Sequence, residues 1–191
     1  ASWAPGAGAQ PVPPRPHIVY IVSDDQGWKD VGFHGSDIRT PSIDRLAQGG
    51  ARLEQFYAQP MCTPSRAALM TGRYPHRYGL QTLVIPSAGT YGLATDERLL
   101  PQALKEAGYR TAIVGKWHLG HADRKYWPRE RGFDYQYGPL LGEIDYFDHS
   151  AHLNAKNEKG EPKLPVVDEQ GKPMPPCQTC HGKVDEMEIV S

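Results

Sequence analysis

This chain has no excess of charge of either sign: 21 basic and 22 acidic residues leave a net charge of −1. That near-cancellation gives no electrostatic reason to expect binding to nucleic acid or a polyanion-coated surface. Apolar runs of membrane-spanning length are also missing, so no transmembrane span is expected. No internal repeat is evident. The first residue is Ala1 rather than Met, and no intact signal peptide is visible. The expectation is therefore a numbering that begins after processing, or a piece of a longer protein. Residues 1–16, rich in Ala, Gly and Pro, read as a disordered leader or the remnant of a signal region. At 191 residues the chain is long enough for one good core.

Chemistry-bearing residues concentrate in three places. The first is Cys62-Thr63-Pro64-Ser65-Arg66-Ala67-Ala68-Leu69-Met70-Thr71-Gly72-Arg73. Thr63 can act as an N-cap, with Pro64 at the first helical position. Ala67 to Met70 propagate a helix, and Gly72 is a plausible stop. Cys62 then precedes a helix N-terminus, where free N–H groups and the helix dipole favour an anion such as sulfate. Arg66, one turn later, adds a forked donor suited to tetrahedral oxyanions. On spacing alone, a buried structural cysteine beside a capped helix is the competing reading.

The second place is Gly108-Tyr109-Arg110-Thr111-Ala112-Ile113-Val114-Gly115-Lys116-Trp117-His118. A helix over Pro101 to Ala107 closes at Gly108, and Tyr109 to Val114 form a β-branched strand. Lys116 and His118 follow the strand, two residues apart and so on one side. Open α/β sheets bind ligands at that C-terminal edge. Taken alone, the pair reads as a solvated charge and a surface imidazole.

The third place is Asp24-Asp25, directly after the apolar run Ile18-Val19-Tyr20-Ile21-Val22. The run from His17 to Val22 reads as a strand buried on both faces of a parallel sheet. Adjacent carboxylates at its end are hard oxygen donors, better suited to calcium or magnesium than to a softer metal. Solvated charge is the alternative there. The coarse order continues with a helix capped at Thr40 with Pro41 at N1, then a short strand over 52–57 and the cysteine loop with its helix. A turn-rich stretch over 72–95 precedes the next helix and strand. Strands alternating with helices argue for an α/β fold with a mainly parallel sheet flanked by helices.

These segments resemble the signatures of the formylglycine-dependent sulfatase family. The cysteine of C-x-P-S-R is the family's nucleophile precursor, and G-Y-x-T-x-x-x-G-K-W-H is its second signature. The opening His17-Ile18-Val19 with Asp24-Asp25-Gln26-Gly27-Trp28 is similar to its metal-binding strand. The resemblance runs from about His17 to about His149. Phe33-His34-Gly35-Ser36, Arg131-Gly132-Phe133-Asp134 and Gly142-Glu143-Ile144-Asp145 resemble the N-terminal part of arylsulfatase B-type enzymes. It implies an alkaline-phosphatase-like fold, here incomplete, and a sulfuric ester hydrolase acting on sulfated sugars, such as N-acetylgalactosamine 4-sulfate, or on aryl sulfates.

By position, the resemblance implies that Cys62, Arg66 and His118 are catalytic and that Lys116 binds substrate. Asp24, Asp25 and modified Cys62 would hold calcium. The implied partners are a sulfated carbohydrate or aryl sulfate and a maturation enzyme that converts Cys62 to formylglycine (3-oxoalanine). The implied location is secreted, periplasmic or lysosomal. A second metal-binding pair, a second histidine and a second lysine have no recognisable counterpart here. Asp145, Asp148 and Asn154 match only by composition, so the expectation is a partial site. An inactive truncated fragment is one alternative, and a phosphate or phosphonate ester hydrolase of the same superfold is another.

The texture changes near residue 154. Residues 17–153 form the expected sulfatase-like domain, and residues 154–191 a polar tail of low order, rich in Lys, Glu, Gly, Pro and Gln as far as Pro176. The tail carries Cys177-Gln178-Thr179-Cys180-His181, the attachment pattern of c-type haem, with Met187 as a possible opposite ligand. Five residues are a weak signal, and a disulfide or thiol pair is simpler. Haem is not expected to be the main function.

Overall fold

The computed structural model of the chain describes residues 15–142, 150–151 and 164–165. The leader as far as residue 14, Asp145, Asp148, Asn154 and the Cys177, Cys180, His181 and Met187 motif lie outside the described residues. The chain divides into two compact units, residues 1–54 and residues 55–191.

The first unit is built on local hydrogen bonds. Helix α1 spans Pro41–Gly49, with Thr40 as N-cap and Pro41 at the first position, as expected. The Thr40 hydroxyl does not cap the helix. It accepts from the N–H of Gly32 (2.7 Å) and donates to the carboxylate of Asp44 (3.0 Å). Asp44 also accepts from the N–H of Phe33 (3.1 Å), tying a single 3-10 turn at Gly32–His34 to α1. Trp28 stacks on His34 with ring centroids 3.9 Å apart. The expected strand over His17 to Val22 is not formed. The run is irregular, and its apolar side chains are exposed, from 48% at Val22 to 83% at Val19. A strand takes its hydrogen bonds from a neighbour, and among the described residues no strand pairs with this one. The strand expected over 52–57 is also absent: a turn occupies Glu54 and Gln55, and Leu53, Phe56 and Tyr57 are exposed.

The second unit holds the core. Helix α2 spans Cys62–Thr71 and α3 spans Leu100–Glu106. Strand β1, Ala112–Val114, pairs in parallel with β2, Tyr135–Tyr137, so that Ala112 faces Tyr135 and Val114 faces Tyr137. This is the parallel α/β arrangement expected, with a strand shorter than Tyr109 to Val114. A second, antiparallel pair joins β3 (Ser150–Ala151) to β4 (Leu164–Pro165). Ala67, Leu80, Ile85, Leu93, Leu99, Trp117, Leu119 and Phe133 form one buried cluster. Removing such apolar surface from water stabilises the unit by about 25 cal/mol per Å².

Two polar side chains tie the loops of this unit together. Arg131 is only 2% exposed and donates to the carbonyls of Leu93 (2.8 Å), Ala94 (3.0 Å) and Glu97 (3.1 Å). It therefore ties together three carbonyls of the segment over 93–97, of which that of Ala94 also accepts from the N–H of Glu97 (3.2 Å). Asp134 accepts from Thr111 N–H (3.0 Å) and from Lys105 Nζ (2.5 Å), joining the end of α3 to the start of β1. The lysine and these hydrogen bonds hold its carboxyl below the usual carboxylate range.

Candidate active site

Helix α2 begins two residues earlier than its composition suggests. Met61, with extended backbone, is the N-cap, and Cys62 is the first helical residue rather than one preceding the helix. The hydroxyl of Ser65 donates to the carbonyl of Gln59 (2.7 Å), and Ser65 N–H donates to Met61 (3.0 Å), which fixes the entry of the chain. Gly72 ends the helix at φ 65°, a left-handed position that glycine occupies without a Cβ penalty. The helix dipole puts its positive end at this turn, so Cys62 lies in a region of positive potential.

Lys116 reaches this position. Its Nζ is 3.2 Å from Sγ of Cys62, across 54 residues of sequence. The guanidinium of Arg66 donates through one terminal nitrogen to the Lys116 carbonyl (2.5 Å). Arg66 therefore holds the main chain that carries the lysine. Cys62, Arg66 and Lys116 are all half-buried.

The segment after β1 is held by the segment after β2. N–H groups of Gly115, Trp117 and His118 donate to the carbonyls of Tyr137 (2.7 Å), Pro139 (2.9 Å) and Leu140 (3.1 Å). Trp117 anchors it in the core: its indole N–H bonds the Tyr126 carbonyl (2.9 Å), and its ring meets Phe133 edge-on. The strand-like alternation expected between Lys116 and His118 fails, since Trp117, His118 and Leu119 are all buried. The physical reason is the backbone of His118, which sits at φ 58° and interrupts the extended geometry. Such a conformation in a non-glycine residue costs on the order of 1–3 kcal/mol and persists where surrounding contacts enforce it.

His118 is 5% exposed, and its Nε2 lies 3.0 Å from the carbonyl of Ile85. Gly142 backs the imidazole closely: a Cβ there would meet Cε1 of His118 at 2.5 Å. Burial, reinforced by the charges of Lys116 and Arg66, pushes its pKa down to about 4 against the opposing hydrogen bond to Ile85. The ring is therefore neutral at physiological pH. Thr63 is fully buried, and its hydroxyl donates to the His118 carbonyl (2.9 Å) and accepts from Ile85 N–H (3.1 Å). Sequence reasoning assigned Thr63 to an N-cap and missed this role. A hydroxyl between the cysteine and the proline of the first signature was the only signal available.

Cys62, Arg66, Lys116 and the segment of His118 are thus brought together within the second unit. Asp24 and Asp25 lie in the first unit, exposed at a bend and joined by a cis peptide bond. Two adjacent carboxylates are hard oxygen donors, and that chemistry fits calcium.

The Sulfatase family pattern matches residues 16–169. The chain belongs to the sulfatase family. It is 50% identical over 135 residues to arylsulfatase J of Mus musculus, a match covering 71% of this chain and 23% of the relative. It is 40% identical over 170 residues to N-acetylgalactosamine-6-sulfatase of Homo sapiens, covering 84% of this chain and 31% of the relative. Among solved structures it is similar to Ps i-CgsB, with a TM-score of 0.63 and 47% identity over 67% of this chain and 29% of that one. The same protein is known in complex with k-i-k-neocarrahexaose. This sulfatase chain therefore spans about a quarter to a third of the length of these relatives. Among the described residues, no helix is long and apolar enough to cross a membrane.

Proposed function

We propose that this chain supplies the nucleophile side of a sulfuric ester hydrolase acting on sulfated sugars or aryl sulfates. The observation that carries the reading is the 3.2 Å approach of Lys116 to Cys62 at the head of α2, each residue lying in a separate sulfatase signature. Cys62 is the residue that a maturation enzyme would oxidise to formylglycine, whose hydrated aldehyde supplies the nucleophile for covalent catalysis.

The other residues divide the remaining work. Lys116 places a compact cation where a sulfate oxygen would sit, and the positive end of the α2 dipole favours the same anion. Arg66 holds the lysine's main chain and adds positive potential, so that negative charge developing on sulfate is met by groups already in position. His118, neutral in its buried site, is suited to accept a hydrogen bond from a hydroxyl and orient it. Asp24 and Asp25, together with modified residue 62, would hold calcium, which would neutralise sulfate oxygens as a Lewis acid.

Sulfated N-acetylgalactosamine is the natural substrate class supported by the arylsulfatase B-type segments and by the human relative named for the 6-sulfate. A secreted, periplasmic or lysosomal location agrees with that substrate. Replacing Cys62 by Ala should abolish turnover of 4-nitrophenyl sulfate and of 4- and 6-sulfated N-acetylgalactosamine by the matured protein. Retained turnover in Cys62→Ala would remove the assignment. A preference between the two sulfated sugars would settle the substrate position.

A further inference from the structure

The hydroxyl of Thr63 closes a ring that passes through two other residues. It donates to the carbonyl of His118 at 2.9 Å and accepts from the N–H of Ile85 at 3.1 Å. Ile85 and His118 are joined again on the other side, by the 3.0 Å approach of the Ile85 carbonyl to Nε2 of the imidazole. A carbonyl oxygen can only accept, so Nε2 must carry the proton. In a neutral ring Nδ1 is then the bare nitrogen with the lone pair. That atom is buried and has no hydrogen-bond partner in the protein. A buried acceptor left unpaired costs on the order of 1–3 kcal/mol, so its retention calls for a reason.

The neighbouring loop repeats the device. Two residues after Ile85, the carbonyl of Ser87 lies 2.9 Å from Nε2 of His121, and Nδ1 of His121 is likewise buried without a hydrogen-bond partner. One short loop thus assigns the same tautomer to two histidines. Thr63 is the side chain that ties this loop to α2, one residue after Cys62. The main chain of His118 would otherwise be held only from the Leu140 side by the bonds described above.

We propose that Thr63 is a positioning residue that locks His118 as the Nε2–H tautomer and thereby keeps Nδ1 as the bare, buried acceptor of the imidazole. This deepens the reading of His118 as a site residue, and it concerns which of its two nitrogens carries the lone pair. The hydroxyl is what matters, so serine should replace threonine and valine, of nearly the same shape, should not.

The test is the tautomer itself, read by long-range proton–nitrogen correlation spectra of the protein labelled with 15N-histidine at pH 6–8. Wild type should show His118 with a protonated Nε2 and an Nδ1 resonance at the far-downfield position of an unprotonated nitrogen. In Thr63→Val the His118 Nδ1 resonance should move upfield as the other tautomer becomes populated, and Thr63→Ser should restore the wild-type pattern. None of these spectra depends on turnover or on conversion of Cys62, so they separate this proposal from the sulfatase reading. An Nδ1–H tautomer in wild type would overturn it, and that spectrum decides even if Thr63→Val does not fold. A folded Thr63→Val that keeps the wild-type pattern would overturn it as well.

Discussion

Two apolar stretches of this sulfatase chain meet opposite fates. Ile18 to Val22 is the longer and more uniformly apolar, yet it lies exposed in the first unit with no strand partner among the described residues. Ala112–Val114 is shorter, but β2 pairs with it in parallel and Ile113 packs against the core. The difference lies in who the neighbours are. In the second unit, the partners of β1 and α2 come from within the same unit: Trp117 and Leu119 from one loop, Leu93 and Leu99 from another, Phe133 from a third. The first unit has local clips around Thr40 and Asp44, and Val31 is its only buried hydrophobic residue among those described. Hydrophobicity proposes a strand, but pairing and covering decide it.

If that contrast is real, substitutions in the two regions should differ severalfold in cost. The largest effect is expected at Arg131, where removal strips a donor from the buried carbonyl of Leu93 and from the half-buried carbonyls of Ala94 and Glu97. Arg131→Leu should destabilise the second unit by about 3–5 kcal/mol in urea denaturation. A loss below about 1 kcal/mol would mean that water replaces the guanidinium on those carbonyls in solution.

Acid is the next lever. His118 has its pKa lowered in the folded state from 6.5 to about 4. Between those values the unfolded chain binds more protons, so stability should fall as pH drops from 6.5 towards 4 and level off below. The drop should be on the order of 3 kcal/mol, from the 1.36 kcal/mol per pKa unit of linkage. Denaturation midpoints recorded across that window would show it, and His118→Gln should flatten most of the slope. A slope of opposite sign would mean the imidazole is stabilised as a cation.

The smallest effect belongs to the first unit. Val19→Ser should change stability by no more than about 0.5 kcal/mol, as for other exposed positions. A cost above about 1.5 kcal/mol would show that the run is covered in solution and would erase the contrast between the regions.

What could be read from residues alone divides along the same line. Helix α1 with Thr40 and Pro41, helix α3 with Gly108 after it, and the stop at Gly72 are local events, set by caps and glycine, and they were legible. So was the family, because fixed spacing records a fixed geometry, and the structure brings Cys62, Arg66 and Lys116 of its two signatures together. The strands over 17–22 and 52–57 were not legible, since strand formation depends on partners distant in sequence. Nor was the role of Thr63, whose contacts lie 22 and 55 residues away. The burial of His118 was hidden for a different reason: a left-handed backbone in a non-glycine residue leaves no compositional trace.

The central claim is that Cys62 is the precursor of the nucleophile, held at the head of α2 beside Lys116. Mass spectrometry of the tryptic peptide containing Cys62, from protein produced in cells with a competent maturation enzyme, tests it most directly. The account predicts the mass of the aldehyde at residue 62, and its loss on Cys62→Ala. An unmodified thiol at that position under the same conditions would contradict it.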